Sequence, residues 1–142
     1  MPVTYILGLQ WGDEGKAKVL DSLCETAKYV VRYQGGANAG HTAVVDGIVF
    51  KFHLVPSGML TDGVVNVIAN GVAVEIEQLL REMAGLAEKG YAPSPANLKV
   101  SDRASVVMPY HKDFDGIEEE FLGEKKLGTT KRGIGPVYGD KH

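Results

Sequence analysis

Val3-Thr4-Tyr5-Ile6-Leu7-Gly8-Leu9-Gln10-Trp11-Gly12-Asp13-Glu14-Gly15-Lys16-Ala17 is the stretch on which the reading of this chain turns. Its apolar opening, Val3 to Leu7, predicts a buried strand over 3–8, and its end predicts a helix over 16–26. A strand, a glycine-rich turn closing in Gly-Lys and then a helix form a phosphate-binding geometry. Glycines let backbone N–H groups point at phosphate oxygens, the lysine adds a charge, and the helix N-terminus contributes about half a unit of positive charge.

The turn departs from the common Walker pattern. Gln10 stands where that pattern has its first glycine, and Ala17 stands where it has a magnesium-binding Ser or Thr. Two acids, Asp13 and Glu14, lie where phosphates must approach. A carboxylate there is repelled by its own ligand unless it holds a metal or moves a proton, so Asp13 is a candidate metal ligand or general base. The competing reading is a glycine-rich turn with surface acids.

Working outward, Tyr29 to Tyr33 reads as a strand and Gln34 to His41 as a glycine-rich loop. Thr42 to Val45 and Ile48 to Leu54 flank Asp46-Gly47, a strong hairpin signal. Val64 to Ala69 is strand-length and apolar. Residues 74–89 predict a helix with Ile76, Leu79, Leu80, Met83 and Leu86 at helical spacing, closed by Lys89-Gly90. Leu98 to Val100 and Ala104 to Met108 are short strands. Pro109 opens a second long helix, whose expected buried stripe is Tyr110, Phe114, Ile117 and Phe121, closed by Gly123. From Lys125 onward a glycine-rich loop is expected. Alternating strands and helices imply an α/β class: a P-loop-like layered domain with a largely parallel sheet plus a β-hairpin. Its site should lie at the carboxyl ends of the strands.

With 142 residues, a single domain over 1–142 is expected, and 44% hydrophobic content suffices for a core. Glycine supplies 18 residues concentrated in a few segments, which points to backbone-mediated binding. A net charge of −3 argues against a nucleic-acid partner. The single Cys24 cannot close an internal disulfide and reads as a small apolar helix residue. No apolar run approaches the ~20 residues of a membrane span, and the N-terminus lacks a basic-then-apolar signal. A soluble, cytoplasmic protein with no membrane partner is the expectation.

Four blocks carry a family resemblance. Gly8 to Lys16 matches the signature Gly-x-Gln-Trp-Gly-Asp-Glu-Gly-Lys-Gly-Lys, and Val30 to Thr42 (Val-Val-Arg-Tyr-Gln-Gly-Gly-Ala-Asn-Ala-Gly-His-Thr) looks like a second glycine-rich segment. His53-Leu54-Val55-Pro56-Ser57-Gly58 and Gly128-Thr129-Thr130-Lys131-Arg132-Gly133-Ile134-Gly135-Pro136 complete the set, in order. Together they resemble the adenylosuccinate synthetase family, whose members are much longer; the resemblance makes this chain their N-terminal part.

The resemblance implies a GTP-dependent ligase joining IMP and L-aspartate to give adenylosuccinate, the first committed step from IMP to AMP in purine biosynthesis. It implies that phosphate from GTP first goes to O6 of IMP and is then displaced by the amine of aspartate. Asp13 matches the general base and His41 the general acid. Asp13 and the carbonyl of Gly40 match the Mg2+ ligands. Gly12, Asp13, Glu14, Gly15, Lys16, Ala17 and Lys18 match the cradle for GTP phosphates, with Gly40, His41 and Thr42 as a second contact. Asp13, Glu14, Gly15, Lys16, Asn38, Ala39, Gly40, His41 and Thr130 match IMP contacts, Thr130 at the 5′-phosphate.

Ala17 and Lys131 depart from glycines common in the family; a methyl at 17 is harmless only if that residue has helical, negative φ. Arg132 reads either as an anion partner or as a solvated loop arginine, His53 as structural, His111 as lacking a functional context and His142 as solvated. The resemblance further implies a homodimer for the full-length enzyme. It places guanine and aspartate recognition in segments this chain does not contain, so the chain alone is expected to be inactive. Two other readings stay open: a non-catalytic nucleotide-binding module, and another phosphate-loop kinase or ligase.

Overall fold

A computed structural model of the chain describes residues 2–9 and 14–142. Helix α1 spans Lys16–Cys24, strand β1 Tyr29–Gly35, β2 His41–Val45, β3 Ile48–Phe52 and β4 Val65–Val74. Helix α2 is Ile76–Glu88, β5 Leu98–Val100, β6 Ser105–Val106, α3 Pro109–Leu122 and α4 Ile134–Lys141. Strand β4 is the centre of a parallel sheet in the order β1-β4-β5, and β6 pairs with it further along. The hairpin β2-β3 forms a separate antiparallel pair. The expected class, a mostly parallel sheet with a hairpin, is the one observed.

Local chemistry explains each feature. The hairpin turns at Asp46 and Gly47, both with positive φ (50° and 78°), as a two-residue mirror-image turn demands. Beta-branched Ile68, Val72 and Val74 of β4 are buried in the main core, while Ala73 on the opposite face packs against Val107 and Val137. The ladder between β1 and β4 slips between Arg32 and Gln34, where Gln34 pairs with Gly71. The main chains approach so closely there that a Cβ on residue 71 would collide with the Tyr33 carbonyl, so only glycine fits. The main core gathers Phe50, Phe52, Leu54, Val55, Ile68 and Val72 with Leu79 and Leu86 of α2. A second, smaller cluster joins Cys24 to Val30 and Val64, so the cysteine is indeed a buried helix residue. Burial, and next the nearby Asp21 carboxylate, push its thiol above the usual range.

Four expectations are corrected. Residues 2–9 join no strand ladder among the described residues, and Val3, Tyr5, Leu7 and Leu9 are exposed. An apolar run becomes a strand only where a neighbouring edge accepts its N–H and C=O groups, and no described segment pairs with this one. On α3 the expected face is inverted: Ile117 and Phe121 are 60% and 91% exposed, and Tyr110 and Phe114 are exposed as well. His111, Asp115 and Glu119, at 3%, 6% and 5%, face inward instead. On α2, Leu79 and Leu86 are buried while Ile76 and Leu80 are exposed. Finally, α4 stands where only loop is expected. Its start at Ile134 follows Gly133, and Val137 and Ile134 pack against Ala73 and Val107. Among the described residues, no helix is long and apolar enough to cross a membrane.

Candidate active site

The described part of the phosphate turn ends in Gly15, which takes a left-handed conformation (φ 74°) and caps α1. Ala17 lies inside α1 and is absent from the positive-φ residues, so its methyl group is accommodated at no backbone cost. Lys18 N–H donates to the Gly15 carbonyl at 2.9 Å. Lys16 Nζ donates to Glu14 Oε2 at 2.7 Å. The loop's own acid thus pairs with the lysine expected to engage phosphate. Gln10 to Asp13, and with them Gly12 and the expected base and metal ligand Asp13, lie outside the described residues.

His41 opens β2, and the ladder sets it opposite Phe52 of β3. The two rings stack with centroids 6.4 Å apart. Its Nε2 lies 2.8 Å from Oδ2 of Asp21 on α1. The other oxygen, Oδ1, accepts a 2.6 Å hydrogen bond from the Ser57 hydroxyl. Three elements thus fix one imidazole: a strand carries it, a helix carboxylate orients it and a turn hydroxyl orients that carboxylate. With Nε2 held by Asp21, an imidazolium has Nδ1–H left to donate. Neither Asp21 nor Ser57 was legible as part of the site. Asp21 lies five residues before the end of the predicted helix, and only the fold brings that turn to the glycine-rich segment.

Asn38, Ala39 and Gly40 form the exposed turn that follows β1, at the carboxyl end of a parallel strand. Gly40 lies against the His53 ring: a Cβ there would sit 3.3 Å from Nε2. His53 faces Gln78 and Glu82 through Nδ1. Glu82, buried on α2, accepts the N–H groups of Leu54 and Val55 at 3.0–3.1 Å, which fixes the path of the His53–Gly58 block. Arg32 Nη2 donates to the Gly36 carbonyl at 2.8 Å. Burial lowers the pKa of this guanidinium, while Glu82 and the Tyr138 phenol act in the opposite sense. Tyr138 of α4 ties the strand ends together, accepting from Gly35 N–H at 2.9 Å and donating to the Gly71 carbonyl at 2.7 Å.

Thr129, Thr130 and Lys131 are exposed on the segment between α3 and α4. Lys131 has φ 52°, a conformation that costs a non-glycine residue about 1 kcal/mol and suits the glycine common at this position. Arg132, its side chain 37% exposed, is paired with an anion of the chain itself. Its Nη1 donates to Glu75 at 3.2 Å, and Lys112 Nζ donates to the same carboxylate at 2.7 Å. Burial alone would raise the pKa of Glu75, but Lys112 and then Arg132 outweigh it and hold the carboxyl below its ordinary value. His111 accepts the Met108 N–H at Nδ1 (2.8 Å) and faces Asp140 with Nε2 at 3.0 Å; it serves as a helix cap.

Among the described residues, no group of three His, Cys, Asp or Glu could hold a metal ion. A loop carbonyl at Gly40 with one carboxylate suits a cation bound mainly through nucleotide phosphates and water, as Mg2+ is, and unlike a caged metal.

A family model described as adenylosuccinate synthetase matches residues 5–142. The chain is 57% identical over 141 residues to adenylosuccinate synthetase of Brachyspira hyodysenteriae, covering 99% of this chain and 33% of that protein. It is 55% identical over 141 residues to that of Caldanaerobacter subterraneus subsp. tengcongensis, with coverage of 99% and 33%. The chain therefore spans about a third of the length of the curated relatives it matches. A fully ligated adenylosuccinate synthetase from Plasmodium falciparum superimposes with a TM-score of 0.81 at 38% identity, over 93% of this chain and 31% of that one. A cyanophage S-2L succinoaminodeoxyadenylate synthetase, bound to dGMP and dATP as an energy donor, gives 0.70 at 26% identity, over 93% and 35%.

Proposed function

The chain belongs to the adenylosuccinate synthetase family, and from that premise we propose that it supplies the phosphate- and IMP-binding part of a GTP-dependent IMP–aspartate ligase. The observation that carries this reading is His41, held at 2.8 Å by Asp21 directly beside the exposed turn 38–40. A positioned imidazole can donate a proton to charge developing on a transferring phosphoryl group. Lys16 and the N-terminus of α1 receive the GTP phosphates, and Glu14 releases Lys16 as they arrive. Asp13 takes the N1 proton of IMP, making O6 nucleophilic. That oxygen attacks the γ-phosphorus, GDP leaves, and the amine of L-aspartate later displaces phosphate from C6.

A carboxylate of ordinary pKa is a weak base for this proton, so adjoining positive charge must stabilise the base-derived anion. Mg2+, held through Asp13 and the Gly40 carbonyl, supplies that charge when bound. Thr130 receives the 5′-phosphate of IMP. GTP is the proposed donor for this chain, although the cyanophage relative has dATP in that role. In its full-length setting the enzyme is a cytoplasmic homodimer in this proposal.

The test follows the His41 ring by NMR in the 142-residue chain. Mg2+ with GTP should shift its resonances, and IMP should shift them again. An unchanged ring, with GTP binding seen elsewhere, would leave a non-catalytic nucleotide module as the better reading.

A further inference from the structure

The buried face of α3 is polar, and two of its three side chains, Asp115 and Glu119, point at one loop. Glu119 accepts Leu127 N–H at Oε1 (2.9 Å) and Gly128 N–H at Oε2 (3.0 Å). One helical turn earlier, Asp115 Oδ2 accepts Gly133 N–H at 2.8 Å. Between these anchors, Thr129, Thr130 and Lys131 stand exposed. The far anchor is closed twice over at Gly133. Its φ is 71°, and a Cβ there would come within 2.9 Å of the His111 and Lys112 main chain. Arg132 adds the third attachment through Glu75.

We infer that Asp115 and Glu119 are positioning residues that hold the 129–131 arch in the shape that recognises a phosphate monoester. The inference rests on the reading of Thr130 as the contact to the IMP 5′-phosphate. Two buried carboxylates beside an anion site would ordinarily repel its ligand. Here each spends its charge on main-chain N–H donors on the inner side of the loop. Those are the donors a glycine-rich segment leaves without partners, and buried N–H groups must find acceptors. Thr129, Thr130 and Lys131, exposed between the anchors, are left for the phosphate. An arch pinned at both ends also loses little further freedom on binding.

The experiment titrates the 142-residue chain with IMP and with inosine, which lacks the phosphate. The unmodified chain should prefer IMP, and Thr130→Ala should lose that preference. Glu119→Gln should cut the preference about tenfold or more, with inosine affinity within about twofold of the unmodified value. Glu119→Asp, which keeps the charge on a shorter stem, should fall between. Glu118→Gln, on the exposed side of the helix, should leave the preference unchanged. Amide exchange at Leu127 and Gly128 should quicken in Glu119→Gln. Asp115→Asn repeats the test at the far anchor if the first variant folds poorly. Preference kept in both anchor variants but lost in Thr130→Ala would overturn the positioning role alone. No preference in the unmodified chain, or none lost in Thr130→Ala, would overturn the Thr130 reading and this inference with it.

Discussion

His41, Asp21 and Ser57 work as a unit because each defines the geometry of the next. The carboxylate of Asp21 is bonded through both oxygens, at 2.8 Å and 2.6 Å, and so cannot turn without giving up one partner. It is about a third exposed, and solvent discounts its worth. Asp21→Asn and Ser57→Ala should each cost about 1 kcal/mol in urea denaturation. Together they should cost measurably less than the sum, with a coupling of about 0.5 kcal/mol or more. Strict additivity would mean that the hydroxyl does not orient the carboxylate. Lys131 shows a different use of a single position. Its φ of 52° is a left-handed conformation that favours glycine, which no spacing rule reveals.

At the scale of elements, helices α2 and α3 act through buried carboxylates as much as through apolar side chains. Glu82 receives two main-chain N–H groups of the His53–Gly58 block. Glu82→Ala should leave both without acceptors and cost about 2–4 kcal/mol. Phe121→Glu, although it removes a large aromatic from a helix, should change stability by no more than about 0.5 kcal/mol. A result in the reverse order would contradict the observed faces. The same helices mark where sequence reading succeeds and stops. Both stripes of α3, 110/114/117/121 and 111/115/119, have helical spacing, and apolarity selects the wrong one. The signal for the right one lies outside the helix, in a following segment whose glycine-rich backbone needs acceptors. The hairpin was legible because Asp46-Gly47 has one good solution. The strand expected at 3–8 was read from composition, and pairing partners are not written in composition.

Across the whole molecule, Glu75 at the carboxyl end of β4 joins the sheet to α3 through Lys112 and to the 127–133 segment through Arg132. Its folded-state pKa lies below the ordinary 4.5. Its stabilisation is therefore complete above that value and is lost as pH falls through the depressed one. Glu75→Gln should be about 1–3 kcal/mol less stable than the unmodified chain at pH 7. The gap should close as the pH is taken below 4.5. A gap that persists in acid would assign the loss to packing. These attachments tie the α3–α4 segment to the end of the central strand, and Tyr138 of α4 ties the end of β1 to the same strand. The proposed chemistry requires that a nucleoside triphosphate and IMP meet there.

Reciprocal binding tests that requirement most directly. The 142-residue chain is titrated with IMP with and without saturating Mg2+ and GTP, and with GTP with and without IMP. The contacts proposed to be shared at residues 13–16 and 40–41 predict that each nucleotide tightens the other by the same factor, about fivefold or more. Two nucleotides that bind independently, or one that binds alone, would contradict a common phosphoryl-transfer site.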